Sequence, residues 1–339
     1  MDIRSINLSG CDVGFLPIVS AFVKKIGMVE EVDRLCGNQT DVSPGQMVLA
    51  LILDTLSGRS PLYRLERSFA EMDLELLVGE GVTASKLNDD AVGRCLDRIY
   101  DTGTGQILTA IALRAVKLFD IDTSHVHHDT TSVTLYGDYD FDGEDEVGQP
   151  FVITYGFSKN HRPDLKQLVH SVLCVDHGIP IHSKIESGNK SDKTINRDLL
   201  DRIVDKMREL GQDNPLYVAD SALVTPDNLS LLADEKKGCG FVTRLPMTYK
   251  QCVNAISLAV DTDKWDDLGI LSDNAPSAGH EPAHYHGFET TVSLYGRSYR
   301  ALVVHSSSHD RRKQGKLEKL TRDDLTKMNK ISSEIEKIE

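Results

Sequence analysis

The sequence predicts a multidomain α+β protein, in which a helical N-terminal domain precedes a mixed β-sheet with helices on its faces and a β-rich insertion. Up to about residue 120, apolar residues recur at helical spacing and no segment alternates as a strand does. From residue 121, several hairpin-linked strands are followed by alternating helix and strand. The predicted domains are residues 1–120 (helical), 121–246 (sheet and helices), 247–310 (β-rich insertion) and 311–339 (an amphipathic polar helix).

The helical domain is predicted from its capping residues. In SPGQMVLALILDTLSG, Ser43 precedes Pro44 and Gly58 follows the last apolar residue, which is the order of N-cap, first helical residue and C-cap glycine. The segments SPLYRLERSFAEM, NDDAVGRCLDRIYDTG and GQILTAIALRAVKLF follow as further helices. The tetrapeptide DTGT at 101–104 also occurs in aspartic proteases, but there it has a strand on each side. We therefore interpret it as an inter-helix turn.

Alternating segments predict the strands of the sheet and of the insertion. In residues 121–246 the strand candidates are 125–136, 151–158, 166–175, 179–186, 216–220 and 240–245, with helices at about 194–210 and 226–236. In the insertion, ETTVSLYG and SYRALVVHS flank a turn at Gly296-Arg297. The terminal helix carries an approximate apolar seam, which requires a partner helix.

Composition and charge exclude some classes of protein. The formal net charge of −14 argues against a chain that coats nucleic acid non-specifically, although it is compatible with a local basic groove. The most apolar run, MVLALIL at 47–53, is too short to span a bilayer, and no apolar signal segment follows the start. The six cysteines are scattered without a CxxC pair. We therefore expect a cytoplasmic protein with reduced thiols.

Two aspartates are the candidate functional residues. Counting by twos places Asp129 on the same strand face as Thr131, Val133 and Leu135, and an ionised group on an inward-packing face needs a partner. Asp220 ends the strand LYVAD, at an edge where α/β sheets bind ligands, although taken alone it is better explained as an N-cap or turn aspartate. Carboxylates on neighbouring strands repel each other unless a divalent cation lies between them, and their hard oxygens suit Mg²⁺ or Mn²⁺. We therefore predict a metal site at Asp129 and Asp220.

Two other segments contain possible metal ligands. The acidic segment DYDFDGEDE at 138–146 resembles the start of a calcium loop, but its twelfth position is Gln149 rather than glutamate, so a solvated hairpin loop is predicted. The insertion contains His280, His284, His286, His305 and His309. Because no paired ligand spacing recurs among them, the sequence favours surface histidines there.

Several motifs together resemble a known family. HHDTTSV, YGFSKNHRPDLKQ, GNKSDKT and VADSALVT are similar to the ribonuclease-H-like core of DDE transposases from bacterial insertion sequences. The segments FLPIVSAFVKKIGM and LNDDAVGRCLDRIYD resemble the helical domain of unknown function that precedes this core in one branch. The resemblance covers residues 14–310. It implies that Asp129 and Asp220 are the first two catalytic acids, that two Mg²⁺ or Mn²⁺ ions bind, and that transposon ends and target DNA are the substrates.

The resemblance fails at the third catalytic acid. In the family it lies on a helix after the insertion, within the signature Y-x2-R-x3-E-x6-K, which does not follow Asp220 here. Glu334, Glu336 and Glu339 lack the flanking residues of that signature. We therefore expect a C-terminally truncated form that is inactive alone and associates with itself or with full-length transposase. An active transposase, a DNA-binding regulatory fragment and a ribonuclease-H-like nuclease remain open alternatives.

Two segments are candidates for DNA contact. Lys159, His161, Arg162 and Lys166 form a local basic stretch that could contact phosphate, although a solvated hairpin fits equally well. Residues 311–330 carry eight Lys or Arg against three Asp or Glu. The resemblance also implies that the helical domain recognises the ends of the element, with a dimerisation or packing domain as the alternative.

Overall fold

The computed structural model describes residues 10–11, 13–139, 151–209, 211–234, 239–271 and 281–335. It confirms the predicted α+β class, since a helical N-terminal region precedes a mixed β-sheet. The chain divides into two compact units, Met1–Arg244 and Leu245–Glu339. None of the helices in the described ranges combines the length and the apolar character that crossing a membrane requires.

The N-terminal helices of the first unit pack around one apolar core. They are α1 (Leu16–Ile26), α2 (Met28–Cys36), α3 (Pro44–Ser57), α4 (Leu65–Phe69), α5 (Leu74–Leu77), α6 (Asp89–Thr102) and α7 (Thr104–Phe119). Fully buried side chains of this core include Val32, Leu49, Leu53, Leu77, Leu87 and Val92. Burial of this apolar surface, rather than helix propensity, stabilises helices as short as α4 and α5.

The start of α3 and the turn between α6 and α7 follow the sequence prediction, whereas α4 begins only at Leu65, after a 3₁₀ turn, and not at the predicted Ser-Pro start. The hydroxyl of Ser43 accepts a hydrogen bond from the Gln46 backbone N–H, and the Gln46 side chain accepts one from the Ser43 backbone N–H. This reciprocal pair begins α3 at Pro44, as predicted. The tetrapeptide at 101–104 joins α6 to α7, where Gly103 takes a φ of +96°. It is therefore an inter-helix turn, as predicted.

The first unit continues as a five-stranded sheet in the order β3-β2-β1-β4-β5. Its elements are β1 (His125–Thr134), β2 (Gln167–Val175), β3 (Ile179–Ser187), α8 (Asp192–Glu209), β4 (Leu216–Ala219), α9 (Pro226–Leu232) and β5 (Gly240–Thr243). β1, β2 and β3 pair antiparallel, whereas β4 pairs parallel with both β1 and β5. This is the ribonuclease-H-like arrangement that the family resemblance implies. The predicted acidic loop at 138–146 lies outside the described residues from position 140 onward.

The predicted strand at 151–158 is wrong. Within the part of the chain that the structure describes, this segment contributes only an isolated bridge between Thr154 and Gln167. The backbone passes close to Gly188 here, because a Cβ added to Gly156 would lie 1.9 Å from the carbonyl oxygen of Gly188. The Gln167 side-chain amide donates a hydrogen bond to that same carbonyl at 2.7 Å. A buried side chain thus takes the place of a regular strand ladder.

The face of β1 that carries Asp129 is exposed, so the predicted inward orientation of this face is wrong. Asp129, Thr131 and Val133 are exposed, and the buried positions are Val126, His128, Thr130 and Ser132. Helix α8 covers the buried face through hydrogen bonds to His128 and Thr130. Because water reaches Asp129, its charge needs no buried partner.

The second unit contains a helix and a three-stranded antiparallel sheet in the order β6-β7-β8. Its elements are α10 (Lys250–Thr262), β6 (Asp266–Gly269), β7 (Tyr285–Leu294), β8 (Arg297–Ser306) and α11 (Ser307–Ile335). The predicted hairpin forms, but its turn lies one residue earlier, at Tyr295 and Gly296, which both take positive φ as a type I′ turn requires. Helix α10 is an addition to the predicted elements. The apolar seam of α11 lies at least half exposed, at Leu317, Leu320, Leu325, Met328 and Ile331.

Candidate functional site

The first predicted acid, Asp129, lies on β1, and the second, Asp220, directly follows the neighbouring parallel strand β4. β1 and β4 pair from His125 with Leu216 to His127 with Val218. Continuing this register by two residues on each strand brings Asp129 beside Asp220, and neighbouring strands are about 4.8 Å apart. The shared parity places both residues on the face that α8 does not cover. The sheet therefore brings together two carboxylates that are 91 positions apart in sequence (220 − 129).

Each of these carboxylates accepts one short-range hydrogen bond from the backbone. Asp129 accepts from the N–H of Thr130 at 2.7 Å. Asp220 accepts from the N–H of Ala222 at 3.0 Å and so caps the 3₁₀ turn Ser221–Leu223. The N-cap role weighed for Asp220 is thus real. It leaves the remaining lone pairs of a solvent-exposed carboxylate for a ligand, so the two roles are compatible.

A buried polar network lies on the opposite face of the same strands. The Asn196 side chain, which projects from α8, accepts a hydrogen bond from the Tyr217 hydroxyl at 2.8 Å through its Oδ1. The same oxygen lies 3.2 Å from Nδ1 of His128, whose Nε2 lies 2.9 Å from the Ser171 hydroxyl. Because Oδ1 can only accept, Nδ1 of His128 carries the proton, and Nε2 accepts from Ser171. The network ties β1, β2 and β4 to α8 directly behind the two acids.

Burial keeps His128 neutral. It lowers the pKa of His128 below the usual histidine range, against opposing contributions from the Asn196 hydrogen bond and from the charges of Asp129, Asp192 and Asp220. A neutral imidazole does not pair with the acids of the neighbouring face. The network behind Asp129 and Asp220 therefore leaves these two side chains on the open face of the sheet.

Of the four basic residues predicted to contact DNA, Lys159 lies closest to the acids in the fold. Its ammonium donates a hydrogen bond to the Thr130 hydroxyl at 2.9 Å and lies 3.8 Å from a carboxylate oxygen of Asp192. Thr130 directly follows Asp129. Lys159 therefore supplies positive charge next to the strand that carries the first acid.

The other three basic residues have different environments. The guanidinium of Arg162 makes two hydrogen bonds, of 2.7 and 2.9 Å, to the carboxylate of Asp164, which satisfies much of its charge. Lys166 lies 6.0 Å from the centre of the Tyr155 ring and bonds to the Asp138 carbonyl. His161 is exposed in a left-handed backbone conformation. These side chains do not converge on one point with Lys159.

Asp192 is a nearby carboxylate that the sequence analysis did not single out. It is the first residue of α8, and it accepts a hydrogen bond from the Thr130 hydroxyl at 2.8 Å. It belongs to the motif GNKSDKT, which was the available signal. Among the described residues, Asp129, Asp192 and Asp220 do not form a group whose ligand atoms all lie within 4.8 Å of one another. The side chains of Glu334, Glu336 and Glu339 lie outside the described part.

Comparisons with known proteins give one family match and several structural similarities. A domain of unknown function, DUF4277, matches residues 9–113, within the region predicted as the helical domain. No curated protein matches the chain. The chain is similar to the piggyBac transposase in a synaptic complex with hairpin DNA, with 11% identity and a TM-score of 0.32, covering 88% of this chain and 55% of that one.

A second solved structure with similarity is the Mos1 transposase in a paired-end complex with the left transposon end. The identity is 11% and the TM-score 0.24, with 65% of this chain and 71% of that one covered. A pre-cleavage Mos1 transpososome gives 10% identity and a TM-score of 0.23, with 63% and 65% covered. The chain spans about half the length of the piggyBac transposase that it matches.

Proposed function

We propose that this chain is a DNA transposase of the DDE type from an insertion sequence, with Asp129 and Asp220 as two of its metal-binding acids. The proposal rests on the register of β1 and β4, which, continued by two residues, brings these two exposed carboxylates next to each other at the end of a parallel strand pair. Ligands of α/β sheets bind at such strand ends. The motifs HHDTTSV and VADSALVT, which contain the two acids, are among those that resemble insertion-sequence transposases.

The donor set fits a hard divalent cation. Two exposed carboxylates on adjacent strands offer oxygen ligands, which Mg²⁺ and Mn²⁺ prefer, and their mutual repulsion is relieved when a cation lies between them. When bound, a pair of such ions stabilises the charge on the attacking and leaving oxygens of a phosphodiester. Asp129 and Asp220 would hold these ions.

Other residues of the chain position the two acids and add positive charge near them. The network of His128, Asn196 and Tyr217 fixes β1 against β4, and this pairing sets the separation of the two acids. Lys159 supplies positive charge beside Thr130, the residue that follows the first acid in the chain. Fixed groups of this kind cost no reorganisation when the reaction occurs.

The described residues supply fewer charged oxygen ligands at this site than the family resemblance implies. The family resemblance implies three acids, whereas within the described residues Asp129 and Asp220 belong to no group of three convergent metal ligands. Affinity for a hard cation rises with the number of charged oxygen ligands. We therefore expect weak metal binding and no strand cleavage by this chain alone. This expectation favours a DNA-binding or regulatory role as the second candidate function.

Titration of Mn²⁺ into the full chain tests the metal site. Wild type should bind weakly but measurably, and Asp129→Asn, which keeps the shape of the side chain and removes its charge, should lose at least about tenfold in affinity. Asp176→Asn is the matched control, because Asp176 is an exposed carboxylate at the opposite end of β2. Identical isotherms for wild type and Asp129→Asn would refute the assignment.

A strand-cleavage assay on supercoiled plasmid and on duplex DNA with Mn²⁺ tests the expected inactivity. We expect no product above a metal-free control. Metal-dependent nicking that disappears in Asp220→Ala would show that inactivity is wrong while supporting the site, since another group would then supply the third ligand. Nicking that persists in Asp220→Ala would come from a contaminant or from another site.

A further inference from the structure

The sheet of the second unit brings four possible metal ligands close together, namely the side chains of Asp267, His284, His286 and His305. In the antiparallel register, Asp267 of β6 lies opposite His286 of β7, and His286 lies opposite His305 of β8. His284 precedes His286 by two residues, so both side chains point to the same face of the sheet. The rings of His284 and His286 have their centres 4.9 Å apart.

Three of these side chains converge. One ligand atom from each of Asp267, His284 and His286 lies within 4.8 Å of the other two, and Nε2 of His284 is 3.4 Å from a carboxylate oxygen of Asp267. Ligands of a tetrahedral Zn²⁺ stand about 2.1 Å from the ion and therefore roughly 3.4 Å from each other. Small rotations of side chains that are partly or fully exposed are enough to close the difference. The backbone does not need to move.

Hydrogen bonds fix the backbone at these positions. Asp267 accepts a hydrogen bond from the N–H of Gly269 at 2.8 Å through the same oxygen that faces His284. The backbone N–H of His284 donates to the Ser307 hydroxyl, and its carbonyl accepts from the Ser307 N–H, each at 3.1 Å. His286 lies in the central strand, paired on both sides. The backbone positions of the two histidines are therefore fixed before any ion binds, and only their side chains need to rotate.

We propose that Asp267, His284 and His286 form a binding site for a borderline divalent cation, of which Zn²⁺ fits the donor set best. Two imidazoles and one carboxylate suit Zn²⁺, Co²⁺ or Ni²⁺, whereas Mg²⁺ and Ca²⁺ prefer sites made only of oxygen. Three protein ligands leave one position of a tetrahedral ion open to water or to a further ligand. The site goes beyond the proposed function and uses neither Asp129 nor Asp220.

The sequence favours surface histidines here because no paired ligand spacing recurs. The carboxylate comes from β6, whereas His286 lies on β7 and His284 directly precedes it, so the spacing within the sequence does not reveal the complete ligand set. The interval of two residues between His284 and His286 indicates only that these two side chains share a face. His309 lies on α11 and takes no part in the cluster.

The single tryptophan of the chain makes the proposal measurable. The ring of Trp265 lies 5.9 Å from that of His305, which lies 6.1 Å from that of His286. A paramagnetic ion at the site should therefore quench the fluorescence of Trp265. Titration of Co²⁺ into the untagged full chain, in millimolar Mg²⁺ to occupy sites that prefer oxygen ligands, should give saturable quenching with one ion bound. Zn²⁺ should compete for the same site.

Three variants decide the outcome. His286→Ala should weaken Co²⁺ and Zn²⁺ binding at least about tenfold, because one of three ligands is lost. His309→Ala and Asp129→Asn should bind as wild type does, and the latter separates this site from the proposed DNA-cleavage site. Equal binding by His286→Ala and His309→Ala, or the absence of saturable binding in wild type, would overturn the proposal.

A second ligand variant guards against misfolding. If His286→Ala changes the circular dichroism spectrum, Asp267→Asn takes its place, since the Asp267 side chain is 67% exposed and its removal leaves the sheet packing intact. Asp267→Asn should also weaken Zn²⁺ binding, measured by calorimetry at the same Mg²⁺ concentration. Unchanged affinity in a folded Asp267→Asn protein would equally contradict the site.

Discussion

The side-chain amide of Asn196 is the shared hydrogen-bond acceptor of the buried network behind the two acids, and its replacement by leucine tests that network. Asn196 is 1% exposed. Its Oδ1 is the acceptor for the Tyr217 hydroxyl and for the Nδ1 proton of His128. Leucine has the same number and branching of side-chain heavy atoms but no acceptor. Asn196→Leu therefore leaves two buried donors without a partner.

The expected loss of stability follows from the number of unsatisfied donors. A buried donor left unsatisfied costs about 1–3 kcal/mol, so Asn196→Leu should lower the free energy of unfolding by about 2–6 kcal/mol. Tyr217→Phe removes a donor instead and leaves Asn196 bonded to His128, so it should cost only about 1 kcal/mol. In the double variant one of the two unsatisfied donors is absent. The double variant should therefore cost less than the sum of the single variants by about 2–4 kcal/mol.

Urea unfolding followed by far-ultraviolet circular dichroism gives these free energies, and hydrogen exchange at the amides of β1 and β4 assigns the loss to the first unit. Fluorescence is unsuitable as the probe, because the only tryptophan lies in the second unit. If Asn196→Leu costs no more than Tyr217→Phe, or if the double variant is additive, the network does not have the donor and acceptor roles assigned to it.

Two further predictions concern pH and packing. Burial lowers the pKa of His128, so the unfolded chain takes up a proton near the usual pKa of about 6.5 before the folded chain does. The free energy of unfolding should therefore fall as pH drops below about 6.5, and it should fall less in His128→Gln. The control His177→Gln, in which the replaced side chain is 86% exposed, should show the same fall as wild type. Equal pH slopes in all three proteins would contradict the assignment. Gly45→Ala should destabilise the protein by about 1–3 kcal/mol, because the new Cβ would meet the Val29 carbonyl oxygen at 2.2 Å. Gly93→Ala, where the added Cβ enters open space on α6, should stabilise the protein by up to about 1 kcal/mol. If thermal unfolding showed that Gly45→Ala and Gly93→Ala change the stability in the same direction, the packing argument would be refuted.

The elements that the sequence predicts best are those with local causes. The capping box of Ser43 and Gln46 and the positive φ of Gly103 depend on neighbours within a few residues, and the helix boundaries they predict are observed. The segment 151–158 fails for the opposite reason. Its conformation depends on the approach of Gly156 to Gly188, which is 32 residues away (188 − 156), and alternation within the segment carries no information about that contact.

The wrong face assigned to β1 has a related cause. An alternation of apolar and polar residues normally identifies the buried face, but here the buried positions His128, Thr130 and Ser132 are polar and Val133 on the other face is exposed. The polar positions are tolerated inside because partners such as Asn196 and Ser171 satisfy them. Those partners come from another helix and another strand. A pattern within one strand therefore could not reveal which face is buried.

The same alternation explains how the strand carries a charged site without a cost to the core. Odd-numbered residues bring Asp129 to a face that is open to water, while even-numbered residues such as His128 and Thr130 hold the strand through buried hydrogen bonds to α8. The imidazole of His128 lies on the opposite face of the sheet from Asp129 and Asp220, so the buried network does not compete with a ligand for these two acids. The network therefore fixes where the acids lie without occupying the face on which a cation would bind.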